Sequence, residues 1–224
     1  IGESLWPERY DIDKLNQIKQ SIGSYWFSAL YQQEPVPAGS SIFKRLWFQY
    51  FDEDDRNYIL NYKNGQRERI SKNLCKIFST VDLASSTKET ADFTVILTFA
   101  QTINNDILIL DIIREKFEAT EHLNLIKYNY QKYRPVLIGI ENVQYQSSLL
   151  QSALKEGLPI KSLKADKDKI SRALPMASMV EAGKVYFKRN AQYLEAFEGE
   201  LLNFPRARND DQVDAFAYIH QIIS

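Results

Sequence analysis

The chain has 224 residues, 44% of them hydrophobic and 25% charged, enough for one substantial core and ordinary for a globular domain. Its 28 lysines and arginines are balanced by 29 aspartates and glutamates, so the net charge is -1 and no broad basic surface for nonspecific phosphate binding is encoded. A single cysteine, Cys75, excludes an internal disulfide, the two histidines argue against a classical zinc site, and no apolar run approaches the roughly 20 residues of a membrane helix.

The chain begins at Ile1 with no signal-type segment and reads as a piece of a longer protein. Leu15, Ile18, Ile22, Tyr25, Trp26 and Leu30 recur at helical spacing, which predicts a helix over residues 11–33. Pro35 and Pro37 break it, and 38–40 is a turn. Residues 42–51 are dense in aromatics (Phe43, Trp47, Phe48, Tyr50, Phe51), which predicts packing of an N-terminal arm onto the main body. A stacking surface for bases is the alternative. The polar stretch 52–72 reads as a loop or insertion.

Regular structure begins after Leu74. Residues 76–83, 93–100 and 106–114 are β-branched-rich runs, the last two joined by an Asn104-Asn105 turn, so they read as an antiparallel meander. A helix over 118–133 leads to a strand at 136–141 and a second helix over 143–155, stopped by Gly157. A short strand at 160–163, a helix over 169–182 stopped by Gly183, a minor strand at 185–187 and helices over 191–202 and 210–223 complete the chain. This order predicts an α/β fold with a mixed five-stranded sheet, three antiparallel strands plus parallel ones, flanked by helices.

Carboxylates punctuate this pattern at three distant places. Asp82 ends the first apolar run and Glu141 ends the charge-free run 136–140, whose apolarity predicts a strand central in the sheet. A carboxylate ending such a strand lies at the sheet's carboxyl edge, where ligand crevices form. Asp211 and Asp214 fall on one helical face, about 5–6 Å apart at Cβ. Asp210 is placed to cap that helix, and Ala215 and Ala217 let it approach a sheet closely. Asp92 is a further, weaker candidate. Converging carboxylates repel one another unless a cation sits between them, and oxygen-only clusters suit Mg²⁺ or Mn²⁺. His122 and His220 lack ligand-type neighbours, and Cys75 reads as a small apolar residue.

Taken in order, Tyr31-Gln32-Gln33-Glu34-Pro35-Val36-Pro37, Ile42-Phe43-Lys44, Trp47-Phe48, Val81-Asp82-Leu83-Ala84, Asp92-Phe93-Thr94-Val95, Ile140-Glu141-Asn142 and Asp210-Asp211-Gln212-Val213-Asp214-Ala215 resemble the nuclease domain of the large terminase subunit of tailed bacteriophages. The resemblance implies a ribonuclease H-like fold and an endonuclease that cuts concatemeric phage DNA before and after packaging. Residues 1–50 would connect to an ATPase motor lying outside this chain, which has no G-x-x-x-x-G-K-[ST] loop, and 51–224 would be the nuclease.

By the same resemblance Asp82, Glu141, Asp211 and Asp214 would hold one or two divalent ions for phosphodiester hydrolysis, with Asp210 and Asp92 less firmly placed. Lys161, Lys164, Lys167, Lys169 and Arg172, with Arg206 and Arg208, are candidates for phosphate contacts, and Lys184, Lys188 and Arg189 extend that track. A solvated face interleaved with Asp166 and Asp168 is the alternative for the first group. The implied partners are double-stranded DNA, the portal protein and the small terminase subunit, in the host cytoplasm and at the procapsid. A junction-resolving or integrase-like enzyme of the same fold, and a docking module with structural carboxylates, are the competing readings.

Overall fold

Period-two burial organises most of the molecule, a computed structural model that describes residues 4–33, 41–83, 93–141, 147–165, 167–207 and 209–223. The stretch expected to be a loop instead forms an antiparallel meander of Gln49–Glu53 (β1), Asn57–Asn61 (β2) and Arg67–Ser71 (β3). Its strands hide their alternation among charged residues, yet Phe51, Tyr58, Leu60 and Ile70 all point inward and are at most 5% exposed. The aromatic segment before it packs as expected, with Phe43, Trp47 and Phe48 buried.

Six more strands follow: Lys76–Asp82 (β4), Thr94–Gln101 (β5), Ile107–Glu115 (β6), Leu137–Glu141 (β7), Ile160–Leu163 (β8) and Val185–Lys188 (β9). One sheet takes all nine in the order β3-β2-β1-β9-β6-β5-β4-β7-β8. The five-stranded sheet expected from sequence is the run β6-β5-β4-β7-β8, and the minor strand expected at 185–187 is β9. The sheet continues past them because β9 pairs in parallel with both β6 and β1. Strand β1 straddles residue 50. Strand β7 is interior but second from the edge, not in the middle, since only β8 lies beyond it.

The helices are Ile12–Tyr31 (α1), His122–Tyr133 (α2), Ser147–Lys155 (α3), Lys169–Glu181 (α4), Leu194–Asn203 (α5), Asp211–Ala217 (α6) and Ile219–Ile223 (α7). α1 is interrupted at Gly23, whose φ of 77° is not helical. The single helix expected over 210–223 is divided at Tyr218 into α6 and α7.

Alternation along β4 and β7 assigns their side chains to opposite layers. Ser79, Val81, Ile138 and Ile140 face α2 and α3, where Asn129 of α2 donates to Ser79 Oγ at 2.8 Å and accepts from Thr98 at 2.9 Å. Asp82 and Glu141, out of phase with these, therefore face the layer of α4, α6 and α7. Phe216 of α6 is fixed edge-on against Phe197 at 5.4 Å and lies 6.1 Å from Phe43, while Ala215 and Ala217 bring the helix close to the strands. Gly139 does the same for α7: a Cβ there would lie 2.7 Å from Ile222 Cδ1 and 2.6 Å from Leu163 Cδ1.

Candidate functional site

β4 and β7 run parallel with Val81 opposite Ile140, so the next residues on that ladder are Asp82 and Glu141. Two carboxylates thus end adjacent strands on one face. Glu141 lies within hydrogen-bonding reach of Asp82, and α6 adds Asp214 and Asp211. Burial, then the charges of Asp214 and Glu141, push the Asp82 carboxyl well above the usual carboxylate range, with Asp211 adding to the effect. Tyr218, at the break between α6 and α7, stands beside Glu141, and burial followed by that negative charge raises its phenol.

The compensating charges come from α4 and β6. Arg172 Nη2 donates to Asp214 Oδ1 at 2.6 Å, and both side chains are nearly buried, at 12% and 10% exposure. A second donation, from Nη1 to the Lys167 carbonyl at 3.2 Å, and a position 5.5 Å over the Tyr218 ring hold the guanidinium in place. Lys169, half exposed, reaches Asp214 at 3.2 Å and Asp210 at 2.7 Å. Burial would depress both cations, but hydrogen bonding and charge from Asp214, joined at Lys169 by Asp210, prevail and raise them. Arg114 of β6 lies 3.8 Å from Asp211.

Asp210 occupies the N-cap position of α6, but its side chain makes no capping bond there, contrary to the expectation. The contact with Lys169 takes it instead. Asp92 and Arg208 lie outside the described residues. Lys161 donates to the Gln221 carbonyl, and the Lys164 backbone exchanges hydrogen bonds with the Gln221 side chain, so both brace the C-terminal helix. Lys167 is exposed beside α4. Arg206 lines a cleft of about 410 Å³ with Arg114, Glu200, Asn203 and Gln212. Lys184, Lys188 and Arg189 pair instead with Asp106, Glu53 and Asp52.

The donor chemistry fits a hard divalent ion: the set is all oxygen, and burial, joined by the charges of Asp214 and Glu141, disfavours the ionised form of Asp82. In the conformation described, no three Asp, Glu, His or Cys side chains among the described residues stand close enough to ligate one ion. Asp214 is drawn toward α4 and Asp211 toward Arg114, so the basic side chains stand where cationic charge is called for.

Arg114 and Glu200 did not emerge from the sequence. Arg114 ends a strand next to Glu115, and Glu200 shares its helix with Glu195 and Glu198, so both read as ordinary solvated charges.

A mixed sheet with carboxylates ending two adjacent parallel strands, flanked by helices, is a ribonuclease H-like arrangement. Residues 79–221 match the family described as the terminase RNaseH-like domain, and the chain belongs to that family. Solved structures agree on the fold. The large terminase nuclease of thermophilic phage G20c with bound magnesium superposes with a TM-score of 0.58 at 13% identity, over 83% of this chain and 98% of that one. The nuclease domain of Thermus phage P74-26 gives 0.55 at 14% identity, over 80% and 93%. The large terminase of another thermophilic bacteriophage gives 0.64 at 10% identity, over 94% of this chain but 52% of that one, so the chain spans about half of that protein. The G20c nuclease has also been solved with zinc and with cobalt. No curated protein matches the chain.

Proposed function

We propose that the chain is a divalent-metal-dependent DNA endonuclease of a viral packaging terminase, cutting concatemeric DNA at the start and end of packaging. The observation that carries this is the convergence of Glu141, Asp214 and Asp211 on a buried Asp82 at the ends of two adjacent parallel strands. Family membership supports the packaging role over a junction-resolving one. Magnesium, zinc and cobalt in the G20c structures support a divalent ion, and the all-oxygen donor set argues for Mg²⁺ or Mn²⁺.

Asp82, Glu141, Asp211 and Asp214 would hold one or two ions, with Asp210 at the margin. Bound there, a divalent ion supplies activation of a water and compensation of charge at the scissile phosphodiester. The chain's own residues do the rest. Glu141 and Asp82 present their oxygens from rigid strand ends, with the Tyr218 ring beside Glu141 limiting access of bulk water. Arg172 of α4, anchored at two points, neutralises Asp214 until an ion takes over that charge. Lys169 is exposed enough to exchange Asp210 for a DNA phosphate, and Lys167 and Arg206 offer further backbone contacts that position DNA without reading sequence. Double-stranded DNA is the proposed substrate. The portal, the small subunit and an ATPase motor domain are the proposed partners, acting in the host cytoplasm at the procapsid.

The test is nicking of supercoiled plasmid by the purified chain. Mn²⁺ or Mg²⁺ should support it, chelator should stop it, and Asp82→Ala should abolish it while the far-UV spectrum stays native. Absent nicking, or nicking indifferent to Asp82→Ala, would favour a docking module whose carboxylates are structural. The ion pairs already satisfying Asp214 give that second reading its footing.

A further inference from the structure

The first turn of α6 carries backbone N–H groups that need acceptors, and a side chain at the N-cap normally supplies one. Asp210 sits there and does not. The acceptor comes from another helix. Glu200 of α5 accepts from Gln212 N at 2.8 Å and from Val213 N at 3.4 Å through Oε1, and from Gln212 Nε2 at 2.6 Å through Oε2. Glu200 is 8% exposed and Gln212 1%. Arg114, its guanidinium carbon 3.8 Å from the Phe93 ring centroid, lies 3.9 Å from Glu200 Oε2 and 3.8 Å from Asp211 Oδ2.

A buried carboxylate in that place costs desolvation that an apolar residue would not. What it gives is a fixed first turn without consuming the helix's own aspartates. Had Asp210 or Asp211 turned back onto the N–H groups, its oxygens would be committed there and lost to the cleft. Capping from α5 leaves Asp210 with Lys169, Asp211 with Arg114, and Asp214 one turn further on toward Asp82. The guanidinium between Glu200 and Asp211 prevents the two carboxylates from repelling each other directly.

We infer that Glu200, with Gln212, is a positioning unit for the acidic site: it caps α6 from outside so that the aspartates of that helix are not drawn back onto its own N–H groups. This rests on the nuclease reading of the site. These hydrogen bonds of Glu200 all go to α6, so it acts through the placement of that helix.

The experiment uses the full 224-residue chain. Glu200→Met removes the acceptor while filling its volume, Glu200→Gln keeps an acceptor oxygen, and Arg114→Met leaves the cap but removes one counter-charge from Asp211. Two readouts are taken: hydrogen exchange of the Gln212 and Val213 amides, and Mn²⁺ affinity from the electron paramagnetic resonance signal of free Mn²⁺. Glu200→Met should speed exchange at both amides and weaken Mn²⁺ binding about tenfold, as loss of supporting contacts around a metal site does. Glu200→Gln should restore most of both. Arg114→Met takes a counter-charge from Asp211, so it should tighten Mn²⁺ binding several-fold with exchange unchanged. Gln212→Met, which removes only the side-chain bond to Glu200 Oε2, should weaken Mn²⁺ binding several-fold and decides the matter if Glu200→Met does not fold.

Mn²⁺ affinity equal to wild type in Glu200→Met or in Gln212→Met overturns the inference. So does a Glu200→Gln chain as weak as Glu200→Met, since charge rather than capping would then be at issue. If the wild-type chain itself neither binds Mn²⁺ nor nicks plasmid, it is the nuclease reading that has failed, and amide exchange still decides whether Glu200 caps α6.

Discussion

Arg172→Met is the sharpest probe of how the site is balanced. Arg172 and Asp214 are 12% and 10% exposed and meet at 2.6 Å, so the pair is buried. Removing one partner of such a pair leaves an uncompensated charge and costs about 3–5 kcal/mol. Lys169 remains at 3.2 Å from Asp214, but it is half exposed and screened, so the expected loss is reduced to roughly 2–3 kcal/mol. For a chain of this size that corresponds to a fall in Tm of roughly 5–10 °C.

The assay is thermal unfolding in chelator and again with Mn²⁺. In the variant Asp214 lacks its firmest counter-charge, so Mn²⁺ should raise Tm by more than it does in wild type, because a ligand bound only by the native state stabilises it. Arg172→Lys should not rescue, since an ammonium cannot span Asp214 and the Lys167 carbonyl together. A variant with wild-type Tm in chelator and a wild-type response to Mn²⁺ would refute the idea that Arg172 neutralises Asp214.

Two further outcomes follow from the same geometry. The Asp82 carboxyl is raised in the folded chain above its unfolded value near 3.9, so the folded state binds the extra proton from roughly pH 4 upward. Metal-free stability should therefore fall as pH rises through that window. Asp82→Asn should flatten the profile and raise the neutral-pH Tm in chelator, and a profile as steep as wild type would contradict it. Gly139→Ala should lower the urea midpoint by an amount equivalent to about 1–3 kcal/mol, because its Cβ would press on Leu163 and Ile222; an unchanged midpoint would show that α7 yields freely.

Strands with continuous apolar character were legible from sequence: β4 to β8 appear within a residue or two of the expected bounds, and Asn105 adopts the positive φ of its turn. The meander was not. Its inward residues alternate with Asp, Glu, Arg and Asn, and composition outweighed period over such short strands. The placement of Asp82 and Glu141 followed from strand-end logic alone. Partners such as Arg114, Glu200 and the Arg172–Asp214 pair join elements far apart in the chain, and no local spacing announces them. The capping expectation for Asp210 failed because the competing acceptor lies in a different helix.

The pairing of β1 with β9 sets Gln49 opposite Tyr186, so a strand made early waits for one made near the end. Contacts that distant in sequence are entropically slow to close. Until they do, the growing sheet has an open flank on β6, and the meander has another on β1, each a template for unwanted pairing with neighbouring chains. Expression fragments trimmed to begin beyond residue 53 would keep every carboxylate of the cleft yet lose this seal, and their failure in solution would be one of aggregation, not of chemistry.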